Sequence, residues 1–232
     1  MQKLKAVLCW SGGKDSALAL HRFLQNDRFQ VVSLLTTLER QHRRVNMHRI
    51  RERLLDEQAA AMGISLEKVW VNNSSNREYE WAMEEMLLRQ KSEGVTHVVF
   101  GDIFLPDLRA YREQMLQRVG LQGVFPLWQQ DTSSLIGEFF REGFRTVTCC
   151  VSAVFFTEEA VGKEVDADFI QQLPSGVDAC GENGEFHTFC YRGPLFSQPV
   201  LFERGEKTYE ALEKGKEQNG FWFIDLLPVE VF

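Results

Sequence analysis

The sequence predicts a doubly wound α/β fold with a parallel sheet, followed by a smaller α+β domain. Strand and helix patterns alternate over the first two-thirds of the chain, and the strand patterns are continuous apolar runs, typical of strands covered on both faces. After about residue 152, segments rich in glycine and proline replace this alternation of strand and helix patterns. We therefore predict one domain at residues 1–151 and a second at residues 152–232.

The strand and helix patterns of the first half follow each other in regular order. The predicted strands cover 6–10, 30–36 and 66–71, and the predicted helices follow Ser16, run over 48–62 to a stop at Gly63, and run from a capping box at Ser75–Glu78 to Gly94. This order of strand, helix and strand is the signature of a parallel sheet.

The second half of the first domain continues the pattern. A strand at 95–100 ends in Gly101 and Asp102, Asp107 is a candidate cap for a helix that ends at Gly120, and a short strand covers 124–128. Asp131 and Thr132 precede the next helix, and residues 144–151 form the last strand of the parallel sheet. Ligands of such sheets lie beyond the carboxyl ends of the strands, so we expect Gly12, Thr36 and Asp102 to share one site.

Composition and charge limit the classes of function. The chain has 232 residues, of which 44% are hydrophobic and 25% charged, as in a soluble globular enzyme. Its formal net charge of −7 argues against a broad basic surface for DNA or tRNA. No apolar run approaches the roughly 20 residues of a membrane helix, and a strand pattern starts right after residues 1–5. We expect a cytoplasmic protein without a signal peptide.

The five cysteines are not arranged as metal or redox motifs. They form no C-x-x-C pair, so the sequence indicates neither a zinc knuckle nor a redox pair. Cys9 and Cys149 lie in apolar strand patterns, as core thiols do. A catalytic persulfide on Cys150 or Cys180 would need an activating base, and nothing in the sequence marks one.

The segment Ser11–Ser16, Ser-Gly-Gly-Lys-Asp-Ser, has the features of an anion site. It lies between a strand and a helix, so its glycines allow backbone N–H groups to converge, and the helix N-terminus and Lys14 add positive charge. The Walker pattern does not fit, because Leu8 replaces its first glycine and Asp15 its Ser/Thr. A phosphate chain is the expected ligand, and an ordinary strand-to-helix turn is the alternative.

A second dense cluster lies at residues 177–189. Within it, Gly181 to Thr188 contains two glycines, two carboxylates, an amide, an imidazole and a hydroxyl. Glu185 and His187 would point to one face if this segment were a strand. The alternative is a polar hairpin that is simply exposed to water.

The loop and this cluster together make the chain resemble the diphthine–ammonia ligase family, a branch of the PP-loop ATP pyrophosphatases. The matching stretches are Trp10–Ser16, Met47-His48 with Gln58-Ala59, Phe100–Ile103, Phe125–Trp128 and Cys180–Thr188. The eukaryotic and archaeal ligases of this family typically have a segment close to Gly-Glu-Gly-Gly-Glu-Phe-Glu-Thr, whereas Asn183 and His187 take two of those places here, which resembles the bacterial side of the family. The resemblance implies a PP-loop (HUP-like) fold.

The resemblance also implies a reaction. An enzyme of this family uses ATP and Mg2+ to transfer AMP to a carboxylate, releases pyrophosphate, and lets ammonia attack the acyl-adenylate. The expected residues for ATP are Ser11, Gly12, Gly13, Lys14, Asp15, Ser16, Thr36, Thr37, His48 and Gly101, and those for Mg2+ are Asp15 and Asp102. The expected acceptor residues are Gly181, Glu182, Asn183, Gly184, Glu185, His187 and Thr188, and the expected catalytic ones are Lys14, Asp15, Asp102, Glu182, Glu185 and His187.

Several roles stay open at this level. Asp15 is either a helix cap or an Mg2+ ligand, His48 touches the nucleotide or caps a helix, and His187 is either the base or a histidine bonded within the hairpin. The arginines of residues 40–53 indicate a solvated face, or a surface that guides ATP or an acidic substrate. The acceptor is a protein side chain or a small metabolite, and association into a homodimer is also open.

Two other functions compete with the ligase. A PP-loop thiolase or tRNA-modifying enzyme would need a basic surface and a pair of cysteines that carries sulfur. The sequence shows neither feature plainly. A sensor that binds ATP or AMP without turnover would not need the residues of the 181–188 cluster.

Overall fold

A computed structural model gives the fold and describes residues 2–72, 76–212 and 219–229. In chain order its elements are β1 Leu4–Cys9, α1 Lys14–Leu24, β2 Phe29–Glu39, β3 Arg44–Val45, α2 Glu52–Met62, β4 Leu66–Val71, α3 Asn76–Ser92, β5 Val95–Val99, α4 Pro106–Val119, β6 Gln122–Val124, α5 Thr132–Arg141, β7 Arg145–Ser152, α6 Ala167–Gln171, β8 Phe186–Arg192, β9 Phe202–Ala211 and β10 Gly220–Pro228. A short 3-10 helix covers Glu158–Ala160.

The first sheet confirms the predicted doubly wound architecture. Its strand order is β3-β2-β1-β5-β6, and β4 also pairs with β2. Strands β1, β2, β4, β5 and β6 pair in parallel, and among the described strands of this sheet only the short β3 is antiparallel. The carboxyl ends of β1, β2 and β5 therefore meet at one edge of the sheet.

Helices cover both faces of this sheet. On one face, α1, α2 and α5 bury residues such as Leu20, Leu54 and Phe139 in a cluster that continues into the second sheet. On the other face, α3 and α4 bury residues such as Leu87 and Met115 against β1 and β5. Burial on both sides explains why the strand patterns are continuously apolar.

The second sheet has four antiparallel strands in the order β8-β7-β10-β9. Our assignment of residues 144–151 to the parallel sheet is wrong, because Arg145–Ser152 pairs with β8 and β10 instead. A strand that is buried on both faces has the same continuous apolar sequence pattern in either sheet, so the pattern does not indicate which sheet the strand joins. The domain boundary between residues 151 and 152 stays a prediction, and from the pairing of β7 we propose that the second domain begins before Arg145.

Several element boundaries differ from the prediction. The helix predicted from His48 begins at Glu52, since Met47 and Arg49 have positive φ angles of 24° and 53° and interrupt a helical path. The cap predicted at Asp107 is wrong, because Leu105 holds that position and Pro106 opens the helix. Asp131, which the sequence places just before the next helix, caps α5, since its side chain accepts a hydrogen bond from Ser134 N. The strand predicted over 124–128 ends at Val124, and Ser75 lies outside the described residues.

Arginines of the 40–53 segment hold the two sheets together. Arg44 and Arg51 both contact the Asp225 carboxylate of β10, at 2.9 and 2.6 Å, and Arg49 pairs with Glu210 of β9. The interpretation of this segment as a solvated face is therefore wrong for these arginines, because their charges are neutralised between domains. Among the described residues, no helix is long and apolar enough to cross a membrane.

Candidate active site

A cavity of about 640 Å3 opens at the carboxyl ends of β1, β2 and β5, below the turn that precedes β8. This volume is typical of a small-molecule site. Of the residues predicted from the sequence, those that line it are Ser11, Lys14, Asp15, Ser16, Thr36, Thr37, His48, Gly101, Asp102, Gly181, Glu182, His187 and Thr188. Gly12, Gly13, Asn183, Gly184 and Glu185 lie outside its lining.

The glycines of the loop between β1 and α1 let it pack closely against its neighbours. Gly12 has a φ of +82°, and a Cβ there would come within 2.9 Å of the Ile50 and Leu55 side chains. A Cβ on Gly13 would lie 2.8 Å from His48 Cε1. Close packing on this side leaves the N-terminus of α1 facing the cavity, where helix N–H groups favour an anion.

Lys14 is a buried cation at the cavity wall, with a side chain only 3% exposed. Its Nζ donates to Asp15 Oδ1 and Oδ2, at 2.9 and 2.8 Å, and to the Cys180 carbonyl. Burial lowers the pKa of Lys14, but the charge and hydrogen bond of Asp15, together with contributions from Cys180 and Glu182, outweigh this effect, and the pKa lies above its ordinary value. Because Gly13 holds the cap position, Asp15 is not the cap of α1 but the counter-charge of Lys14.

Thr188 on β8 connects the C-terminal sheet to this loop. Its hydroxyl accepts a hydrogen bond from the Lys14 backbone N–H at 3.1 Å, and its carbonyl accepts one from His48 Nδ1 at 3.0 Å. The second bond requires His48 to carry its proton on Nδ1, which leaves Nε2 as an acceptor. His48 does not cap α2, which begins at Glu52.

A buried glutamine completes the same connection. Gln58, fully buried on α2, accepts from Trp10 Nε1 at 2.8 Å and donates to the carbonyls of Gly12 and Cys190 at 3.0 and 2.6 Å. It therefore ties the loop to both α2 and β8. The sequence signal for this role is a polar side chain on the apolar face of a helix, beside Leu54 and Leu55.

The imidazoles of His48 and His187 contact each other, with ring centroids 4.8 Å apart. Burial lowers the pKa of His48 to about 4, and burial together with the neighbouring His48 lowers the pKa of His187 well below its usual range. Both rings are therefore uncharged near neutral pH. A base with so low a pKa is weak, so this environment does not favour His187 as the general base.

The loop that follows β5 carries a second ion pair, which is partly buried. Asp102 accepts from Arg112 Nε and Nη2 at 2.5 and 3.1 Å, and the Arg112 guanidinium lies 4.5 Å from the Phe100 ring centroid. A Cβ on Gly101 would come within 3.0 Å of the backbone of Asp15 and Ser16. This loop therefore lies directly against the first turn of α1, and it brings Arg112, which the sequence analysis missed, to the cavity.

Two carboxylates shape the turn before β8. Asp178 Oδ1 accepts from the N–H groups of Cys180 and Glu182 at 2.8 and 3.2 Å, and Glu185 accepts from Asp178 N and from Asn183 N and Nδ2. Glu185 is buried and faces its own turn, so it supports the turn rather than lining the cavity. The turn directs the Cys180 carbonyl to Lys14 and the Glu182 side chain into the cavity.

Glu182 reaches across to the loop after β5. Its Oε1 accepts from Ile103 N at 2.8 Å and Phe104 N at 3.2 Å. Burial and the nearby Asp15 charge raise the pKa of Glu182 to about 7, against the opposing effect of the two N–H groups. Glu182 therefore changes protonation state near physiological pH.

The far end of the cavity is more apolar and contains an unsatisfied hydroxyl. Leu35, Val71 and Met83 line it together with Thr36 and Thr37. Thr36 Oγ1 is buried and has no hydrogen-bond partner among the described residues. Buried polar groups in proteins are nearly always paired, so this hydroxyl is a contact available to a ligand.

The described residues contain no group of three or more His, Cys, Asp or Glu side chains that would hold a metal ion. Both predicted Mg2+ ligands, Asp15 and Asp102, are already paired with Lys14 and Arg112. Mg2+ commonly keeps its waters and binds through substrate phosphates with one or two carboxylates. Asp15 and Asp102 are therefore better suited to an Mg2+ ion that arrives bound to phosphate than to a metal ion that the protein alone would hold.

Comparisons with known proteins agree with this organisation. Residues 4–123 match the model of the diphthamide synthase N-terminal domain, and residues 131–225 match that of the C-terminal domain. The chain belongs to the diphthamide synthase family. The predicted family membership is thereby confirmed, and the two matched segments correspond to the parallel and the antiparallel sheet.

Curated relatives of this chain are named diphthine–ammonia ligase. The protein from Danio rerio is 26% identical over 225 residues, covering 88% of each chain. Those from Bos taurus and Homo sapiens are each 28% identical over 134 residues, covering 56% of this chain, which spans about half the length of these two relatives.

Two solved structures are also similar to the fold. They are a predicted subunit of a tRNA methyltransferase from Methanocaldococcus jannaschii, with 16% identity and a TM-score of 0.44, and the U34-tRNA thiolase NcsA from Methanococcus maripaludis, with 15% identity and a TM-score of 0.37. They cover 63% and 61% of this chain, and 80% and 58% of their own.

The two departures from the family pattern occupy different environments. Asn183 is exposed and donates to Glu185, within the turn. His187 lines the cavity and contacts His48, so a neutral ring lies at the position where the pattern of the eukaryotic and archaeal ligases predicts a glutamate.

Proposed function

We propose that this protein is an ATP-dependent ligase that transfers AMP to a carboxylate, releases pyrophosphate, and forms an amide with ammonia. The observation that supports this most is the buried Lys14 cation at the N-terminus of α1, at the wall of a cavity of about 640 Å3. A helix N-terminus, a buried cation and a glycine-rich loop together favour a phosphate chain.

The triphosphate of ATP would lie against the loop between β1 and α1. Ser11, Lys14 and Ser16 line the cavity there, whereas Gly12 and Gly13 contribute by letting the loop pack against α2 and His48. The adenosine would extend to the apolar end, where the unpaired Thr36 hydroxyl is available. We therefore assign Thr36 and Thr37 to the nucleoside, and His48 and Gly101 to the walls beside the phosphates.

The chemistry of adenylation requires charge stabilisation more than acid–base catalysis. A carboxylate oxygen attacks the α-phosphorus, and the bond to the β-phosphate breaks, so negative charge grows on the departing pyrophosphate. Lys14, fixed by Asp15 and the Cys180 carbonyl, would stabilise this charge with little reorganisation. Mg2+ bound to the phosphates would supply further neutralisation, with Asp15 and Asp102 as nearby carboxylates.

The acceptor would bind between the turn before β8 and the loop after β5. Glu182, His187 and Thr188 line this side of the cavity. Since the relatives are named diphthine–ammonia ligase, a diphthine-type carboxylate is the first acceptor to test and ammonia the first nitrogen donor. Asn183 and Glu185 act indirectly, through the shape of the turn.

The test is product analysis with purified protein, Mg-ATP, ammonium and a translocating elongation factor that carries diphthine. We expect the reaction to yield AMP, pyrophosphate and amide in equal amounts. ADP as the product would contradict it, and ATP binding without turnover would favour the sensor. A thiolase has less support, because burial raises the pKa of Cys9 and Cys180 to about 12 and raises the pKa of the other three thiols well above its ordinary value.

A further inference from the structure

The carboxylates around the cavity differ in how their oxygens are occupied. Both oxygens of Asp15 accept from Lys14, and both oxygens of Asp102 accept from Arg112. Both oxygens of Glu185 accept from groups within its turn. Glu182 is different: Oε1 is bonded, whereas Oε2 accepts no hydrogen bond from any described residue.

The bonded oxygen fixes the orientation of Glu182. Oε1 is held by two successive backbone N–H groups, those of Ile103 and Phe104. That backbone is itself held by a 2.7 Å hydrogen bond from Gln129 N to the Ile103 carbonyl. A carboxylate anchored through one oxygen presents the other in a defined position, which is the arrangement expected of a proton acceptor.

The surroundings of Glu182 support a proton-accepting role. Because burial and the Asp15 charge raise the pKa of this carboxyl to about 7, it is a stronger base than an exposed glutamate and still ionises near neutral pH. Lys14 is the cation whose charge opposes this rise. His48 and His187 share the cavity but are much weaker bases, because burial lowers the pKa of both.

We propose that Glu182 Oε2 is the ammonium subsite of this enzyme: it binds the incoming nitrogen as ammonium and removes one proton from it. This inference rests on the proposed function. The proton moves to Oε2 and leaves neutral ammonia, whose lone pair forms a bond to the acyl carbon of the adenylate. The bond between that carbon and the phosphate oxygen breaks, and AMP departs with the electron pair and a second proton from the nitrogen.

The test separates proton removal from the rest of the reaction by changing the nucleophile. Hydroxylamine is largely unprotonated near neutral pH, so it does not need a base before attack, whereas ammonium does. Wild type and Glu182→Gln are compared with ammonium and with hydroxylamine, using the diphthine-bearing elongation factor as acceptor. The glutamine keeps an oxygen that can accept from Ile103 and Phe104. Glu159→Gln, at an exposed position, is the matched control.

We expect Glu182→Gln to lose about 100-fold or more in amide formation from ammonium, the usual contribution of a general base, while hydroxamate formation and ATP–pyrophosphate exchange stay within a few-fold of wild type. Equal losses with both nucleophiles, loss of exchange, or full activity with ammonium would each overturn the inference. If wild type releases no pyrophosphate, the proposed function fails and this inference fails with it.

A measurement on wild type covers the case in which the variant does not fold. The rate with ammonium should rise through an inflection near pH 7 that is absent with hydroxylamine. The same inflection with both nucleophiles, or with neither, would assign proton removal to another group.

Discussion

Thr188 and Lys14 are separated by 174 positions in the chain, yet the Thr188 hydroxyl accepts a 3.1 Å hydrogen bond from the Lys14 backbone N–H. A residue of the antiparallel sheet thus accepts a hydrogen bond from one of the first N–H groups of α1. The adjacent Thr188 carbonyl holds His48, and Gln58 joins the same strand to the loop. The C-terminal sheet is therefore bonded directly to the loop at which we propose that the anion binds.

Thr188→Val tests this connection, because valine keeps the size of threonine and removes its hydroxyl. We expect a loss of about 1 kcal/mol in the free energy of unfolding, as for one buried hydrogen bond, and weaker ATP binding. Denaturant unfolding and calorimetric ATP titration measure the two effects. Thr157→Val, at an exposed position, should change neither; unaltered ATP affinity in the Thr188 variant would refute the coupling.

Gly101→Ala tests the close approach of the loop after β5 to α1. The added methyl group would come within 3.0 Å of backbone atoms of Asp15 and Ser16, so the loop or the helix must move. We expect ATP affinity to fall by about tenfold, or about 1.4 kcal/mol. Gly137→Ala, inside α5, is the matched control and should raise stability by about 0.5–1 kcal/mol without affecting ATP binding.

His187→Ala tests whether the histidine is a general base. Because burial and the neighbouring His48 lower the pKa of His187 well below its usual range, the ring is neutral near neutral pH and above. We expect the variant to change the rate or the KM of the acceptor while the pH–rate profile keeps its shape. A profile that loses an inflection in the variant would restore the assignment of His187 as the base.

Much of the fold and of the site could be predicted from the sequence because the signals are local. The Ser11–Ser16 loop and the 181–188 cluster each lie within one short segment, and both reach the cavity. Arg112 could not be found this way: nothing in its helix indicates that it pairs with Asp102 beneath Phe100. That contact exists only once α4 packs beside β5.

The predictions that were wrong also failed because tertiary structure decides features that a local sequence pattern does not contain. Residues 145–152 form the predicted strand, but their partner strands are set by tertiary structure and not by the apolar pattern. Asp107 has the right residue type for a helix cap, and Pro106 shifts the helix start by its fixed φ. The roles of Glu182 and Glu185 could not be separated in sequence, because only the turn geometry shows which of them faces the cavity.

Asp225→Asn tests the ion pairs between the two sheets. Burial raises the pKa of Asp225, but hydrogen bonds from Arg51 and Arg44 outweigh this effect and the pKa lies below its ordinary value. A group with a lowered pKa stabilises the fold above its unfolded-state pKa, and this contribution disappears as pH falls through the folded-state value. We expect the variant to lose about 2 kcal/mol at pH 7.

Unfolding at several pH values provides the check. The difference between wild type and Asp225→Asn should shrink as the pH falls below 4, and fully exposed Asp27, changed to Asn, should show little effect at any pH. A stability difference that is constant across this range would mean that the charge of Asp225 is not what holds the sheets together.

The bond that is cleaved in ATP decides whether the loop between β1 and α1 works as proposed. Phosphorus NMR of a reaction with Mg-ATP, ammonium and the diphthine-bearing acceptor distinguishes the products. Wild type should yield AMP and pyrophosphate, Lys14→Ala should yield neither, and Lys163→Ala, which removes an exposed lysine, should behave as wild type. ADP and inorganic phosphate from wild type, or normal turnover by Lys14→Ala, would contradict cleavage between the α- and β-phosphates at this loop.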